Sequence, residues 1–149
     1  MASMSDYLEN KLIDFIFRGQ PYTPPSTMYV GLLNTAPSDA GGGTEVSGSN
    51  YSRVAVASTL ANWSGTQGAG STTVSTGNTA TTSNNVAIVF PVPSANWSDS
   101  TTSTRYVGLF DAPTGGNLLF YYALAIPKVV NSGDDIRFAS GQLSQQLDN

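Results

Sequence analysis

The sequence predicts a mainly β fold, a β-sandwich or jelly-roll-like domain carrying one N-terminal α-helix. Three observations lead there. Only 11% of the 149 residues are charged, while Ser and Thr supply 35 residues, so solubility rests on hydroxyls and amides, as on β-rich surfaces that face another protein. Hydrophobic residues make up 40% of the chain and aromatics 10%, too much for a disordered chain. Short apolar runs recur between Gly, Pro, Asn and Asp clusters, the pattern of strands joined by turns. The length fits one domain, and 1–149 is read as a single β-rich unit.

The helix comes first, over about residues 6–18. Ser5 or Asp6 can cap it, with Asp6 and Glu9 at capping-box spacing. Leu8, Leu12, Phe15 and Ile16 fall on one apolar stripe, which Tyr7, Ile13 and Phe17 widen. Arg18 suits the last turn and Gly19 the cap beyond it. Pro21, Pro24 and Pro25 then forbid continuation. Two readings of the wide stripe stay open: a helix lying over a sheet, or a face docked on a neighbouring subunit.

After the prolines the pattern turns β. Strands are expected over 28–33, 51–60, 86–90, 104–110, 118–126, 135–139 and, last and short, within 140–147. Between the first two lies a loop, 34–50, with Gly41, Gly42 and Gly43 in succession. Residues 64–85 are a Ser/Thr-rich segment, read as a flexible loop or as a polar hairpin that orders against a partner. Two internal echoes stand out. Tyr29-Val30-Gly31-Leu32 resembles Tyr106-Val107-Gly108-Leu109, each copy running on to an Ala-Pro pair, and Ala61-Asn62-Trp63-Ser64 recurs as Ala95-Asn96-Trp97-Ser98. A mid-strand glycine marks a bulge or a close approach. The first echo therefore predicts two neighbouring strands with Gly31 and Gly108 at one level.

Composition limits the chemistry. The formal charge is −4, and the six cations are Lys11, Arg18, Arg53, Arg105, Lys128 and Arg137. They are scattered singly, whereas phosphate neutralisation needs clusters, so nucleic acid is not an expected partner. With no His and no Cys, imidazole and thiolate metal sites, disulfides and the usual nucleophile triads have no residues to use. Neither a metal nor a cofactor is expected. No apolar run reaches the roughly 20 residues of a membrane span, and the first residues lack the basic and apolar regions of a signal peptide. Paired carboxylates would be the remaining route to an enzyme. The candidates Asp39, Glu45, Asp99, Asp111, Asp134 and Asp135 all sit in turns or loops, where Asp bonds the backbone. No catalytic residue is assigned.

Trp63 and Trp97 could each stack on a sugar ring or close one end of a core, and the second is the commoner use of a large aromatic. Tyr106, Tyr121 and Tyr122 stand in strands, at a core edge or an interface rim. The Asn-x-Ser triplets at Asn50, Asn62 and Asn96 match a glycosylation pattern by chance, since nothing points to secretion.

Several stretches together resemble a family of short tailed-phage proteins commonly labelled tail-fibre-like or minor structural proteins. They are the opening from Met1-Ala2-Ser3 through Ser5-Asp6-Tyr7-Leu8-Glu9-Asn10 to Arg18-Gly19, then Tyr22 to Leu32, and Glu45-Val46-Ser47-Gly48 to Arg53. Val86 to Pro91, Val107-Gly108-Leu109-Phe110-Asp111-Ala112-Pro113 to Leu119, and Val130 to Asp134 continue the match. The segment from about Gly65 to Asn85 departs from the pattern by its length. The resemblance implies a virion protein, made in the host bacterial cytoplasm and without catalytic residues. It would bind copies of itself and other virion proteins, as a tail- or fibre-associated part or as a capsid decoration (cement) protein. The alternative function is recognition of a host-surface glycan through Trp63, Trp97 and the tyrosines.

Overall fold

The computed structural model describes residues 3–99 and 101–147; the first two residues of the opening motif and both ends of the 1–149 span lie outside them. The chain is mainly β with one helix. In order it runs β1 (Ser3–Met4), α1 (Asp6–Arg18), β2 (Thr27–Leu33), β3 (Val54–Ala57), β4 (Thr81–Ser83), β5 (Ile88–Val89), β6 (Thr104–Phe110), β7 (Leu118–Lys128), β8 (Arg137–Phe138) and β9 (Ser144–Gln146). A five-stranded sheet has the order β1-β7-β6-β2-β3, and two short ladders, β4-β9 and β5-β8, stand apart from it. All pairings between these strands are antiparallel.

Alternation along the strands sorts side chains onto two faces. Val30, Leu32, Val56, Val107 and Leu109 leave one face of the sheet and pack against Ile88, Phe90, Trp97, Val130, Ile136 and Leu143. The short ladders and the loops beside them thus form the second layer. β6 keeps its expected bounds, β2 and β7 run slightly beyond theirs, and other strands are shorter than the apolar runs predict. Within 51–60 only Val54–Ala57 pairs, and within 86–90 only Ile88–Val89. Tyr51 instead turns its hydroxyl inward, accepting from the Leu32 N–H at 2.9 Å and donating to Glu45 Oε1 at 2.9 Å. Burial is the largest influence on that hydroxyl and pushes its pKa up, so it stays protonated.

The opposite face is built on the glycine pair. Gly31 and Gly108 are directly paired in the β2–β6 ladder, as the first echo predicts. A Cβ on Gly108 would lie 2.7 Å from the Phe110 ring, and one on Gly31 3.0 Å from the same ring. The two glycines are therefore a floor on which Phe110 lies. Above the ring, 3.5 Å from its centroid, sits the Arg53 guanidinium. Arg53 bonds both Glu45 oxygens, Nε to Oε1 at 2.8 Å and Nη2 to Oε2 at 2.7 Å. Its Nη1 donates to the carbonyls of Ala112 and Gly115 at 2.7 and 2.9 Å. One arginine ties the β2–β3 loop to the β6–β7 loop over the sheet.

The Ser/Thr-rich segment is held within the chain. Its last residues form β4, which pairs with β9, and Asn85 bonds Leu60 O, Ser71 O and the Gly70 N–H. The second echo has a structural use. Ser64 Oγ accepts from the Ser83 N–H at 2.9 Å, and Ser98 Oγ accepts from the Val130 N–H at 2.7 Å. Both serines are buried, and each Asn-Trp-Ser copy pins a distant segment by the same bond.

Candidate functional site

The clearest feature for binding is α1. Ser5 caps it, its side chain accepting from the Leu8 N–H at 3.4 Å. Because Ser5 is the cap, Glu9 stands one position past the third helical residue, so the capping box expected from Asp6 and Glu9 does not form. Gly19 ends the helix in the left-handed region at φ 65°. The first turn is fixed to the body. Ser5 N–H donates to Leu119 O at 3.0 Å, Ser5 Oγ to Leu118 O at 2.5 Å, and Asp6 N–H to Asp39 O at 2.8 Å.

Beyond that turn the helix is covered only at Leu12 and Asp14, which are half-buried. Leu8 is its one buried residue. Ile13 is 51% exposed, Phe15 53%, Ile16 64% and Phe17 80%. Of the expected stripe, Leu8 is buried and Leu12 half-buried against the body, while Phe15 and Ile16 stay in solvent, so the helix meets the sheet at its start and leaves its second half free for a neighbour. Removing an apolar side chain of this size from water is worth about 1.5–3 kcal/mol. Four of them left in solvent around the second half of the helix make apolar surface that a partner would gain by covering.

The carboxylates are occupied one by one. Asp99 Oδ1 accepts from the N–H and hydroxyl of Thr101 and of Thr102 at 2.7 to 3.0 Å. The Thr101 hydroxyl leads these bonds in holding its pKa down at about 2. Asp111 accepts from the Asn117 N–H and side-chain amide, both at 2.7 Å. Asp39 accepts the Tyr121 hydroxyl, Asp134 the Asn131 N–H, and Asp135 pairs with Arg137. Glu45 is spent on Arg53. Among the described residues no group of three or more His, Cys, Asp or Glu could hold a metal ion.

The two tryptophans part company. Trp97 is 4% exposed, donates to Ser49 O at 2.8 Å and meets the Tyr51 ring edge-on at 5.2 Å. It closes the core and offers no stacking face. Trp63 is half-buried and stands in the wall of a cavity together with Leu109, Phe120 and Gln145. Sequence reasoning missed Gln145 and the cavity, because β9 is three residues long and its partner is hidden in the Ser/Thr-rich segment. Tyr106 and Tyr121 belong to the glycine-floored face, and Tyr122 to the edge of the main core. No helix among the described residues is long and apolar enough to cross a membrane.

Compared with known families, residues 3–146 match the model described as podophage GP4 fiber I protein gp80. No curated protein matches the chain.

Proposed function

The chain belongs to the family of the podophage GP4 fiber I protein gp80, and from that membership we propose a non-enzymatic structural part of a tailed-phage particle, a single β-rich domain that binds other virion proteins. Family membership supports a place on the fibre over a capsid decoration role. The observation that carries the docking is the apolar face of α1: the helix is capped and tied at its first turn, yet Ile13, Phe15, Ile16 and Phe17 stay in solvent. A second copy of this chain is the occupant we favour, since closed self-contacts are the default for repeated particle parts. The consumption of each candidate carboxylate by turn and loop contacts supports the non-enzymatic reading.

Two measurements test this. Quantitative gels and antibody labelling of purified particles should find the chain in multiple copies at the fibres; its absence from purified particles overturns the proposal. The isolated chain should self-associate in light scattering, and Ile16→Ser with Phe17→Ser should return it to a monomer with an unchanged far-ultraviolet circular dichroism spectrum and a thermal midpoint that no longer depends on concentration. A monomeric parent chain would remove the second copy as the occupant.

A further inference from the structure

The cavity beside Trp63 is independent of α1 and has its own chemistry. Its volume is about 700 Å³, within the range of small-molecule sites. Leu60, Leu109, Phe120 and Trp63 make much of its wall, and the exposed hydroxyl residues Ser58 and Thr59 stand at it. No charged side chain among the described residues lines it, so the ligand it suits is neutral: phosphates and acidic sugars would meet no counter-charge there.

Two wall residues carry polar atoms without partners. Gln145 is 3% exposed, and neither its Nε2 nor its Oε1 has a hydrogen bond; Trp63 Nε1 has none either. Of the six such buried atoms among the described residues, these are three. A buried amide left unpaired is costly, and native chains supply the missing partners by protein, water or ligand. A carboxamide lacks one donor and one acceptor. A second amide group supplies both at matching spacing.

We propose that this cavity binds an N-acetylated amino sugar. The acetamido group pairs with the Gln145 carboxamide, its methyl rests on the apolar wall, and the sugar ring lies against the Trp63 indole. Ring hydroxyls find Ser58 and Thr59. A peptide group would satisfy Gln145 equally, but the broad indole face and the hydroxyl-bearing mouth favour a saccharide.

The full chain is titrated with N-acetylglucosamine, following the Trp63 indole N–H by NMR. Glucose tests the need for the acetamido group, and N-acetylalanine methylamide tests an amide without a sugar. The expected result is a saturable shift with N-acetylglucosamine, with glucose at least ~10-fold weaker, as for loss of a ligand group that a buried polar site requires. Gln145→Leu should abolish the shift without lowering the thermal midpoint, since it removes the unpaired amide. Thr59→Trp, which crowds the mouth and leaves the buried wall intact, should weaken binding ~10-fold or more. No shift at high-millimolar sugar would mean that the cavity holds only water, and it overturns the proposal. Equal binding of glucose overturns the acetamido pairing, and equal or tighter binding of the methylamide makes the cavity a peptide site instead.

Discussion

Substituting Gly108 by alanine tests the account of the glycine floor most directly. The added Cβ would stand 2.7 and 2.9 Å from Phe110 Cε2 and Cζ, and 3.0 Å from Leu118 Cδ1. Cβ atoms do not approach carbon so closely, and the ring is pinned from above by the Arg53 guanidinium. Something must move. Overpacking costs about 1–3 kcal/mol, and displacing the ring forfeits part of a cation–π contact worth up to about 2 kcal/mol when desolvated. Against this, alanine restricts the unfolded chain and returns about 0.4–1 kcal/mol. Taking the middle of each range, the net loss is about 2 kcal/mol. Urea unfolding followed by tryptophan fluorescence measures it. The decisive comparison is a double-mutant cycle with Phe110→Leu: shortening the ring should make Gly108→Ala far milder, giving a coupling energy of at least ~1 kcal/mol. A loss below ~0.5 kcal/mol, or additive effects within that error, would refute the floor argument.

Two further outcomes follow from bonds already described. Arg53→Lys keeps the charge but cannot bond both Glu45 oxygens and the Ala112 and Gly115 carbonyls from one planar group; with the Arg53 side chain 5% and Glu45 29% exposed, destabilisation of about 2–4 kcal/mol is expected in the same urea assay. The Asp99 turn depends on the ionised carboxylate: its folded pKa, about 2, lies below the ordinary 3.8, so the carboxylate's stabilisation is present above the unfolded value and is lost as pH falls toward 2. Protection of the Thr101 and Thr102 amide protons should decline over that window while Asp99→Ala shows no protection at any pH.

Much of the fold was legible because its signals are local. Alternation in Tyr29–Leu33 and Tyr106–Phe110, with a glycine at the same place in each, located the central pair and its register. What the glycines are for was not legible: Arg53 lies 22 residues from Gly31 in sequence and was read as one more scattered cation, and only the folded chain brings it over Phe110. The Asn-Trp-Ser echo was visible, yet its two tryptophans serve different ends, because Trp97 finds a carbonyl at Ser49 while Trp63 finds none. β9 falls within the stretch 140–147 where a last short strand was expected, but its partner β4, inside the Ser/Thr-rich segment, was not read as a strand, and neither carries an apolar pattern. They are Thr-Thr-Ser and Ser-Gln-Gln, and what holds them is hydrogen bonding about Asn84. That residue is fully buried, donates to the Val86 and Ala139 carbonyls and accepts the Leu143 N–H at 2.8 Å.

The helix shows why amphipathic pattern alone leaves a partner undetermined. A stripe at helical spacing records that one face will leave water; it does not record whether the covering surface is in the same chain. The width of the stripe was the useful sign. Tyr7, Ile13 and Phe17 extend it past what one sheet contact can cover, and of the apolar helix residues only Leu8 is buried while Ile13, Phe15, Ile16 and Phe17 stay in solvent. A chain with so few charges has little else to keep such a face in solution. Burial of α1 by a neighbour would reconcile two facts that conflict in an isolated subunit, a charge-poor surface and an uncovered apolar helix.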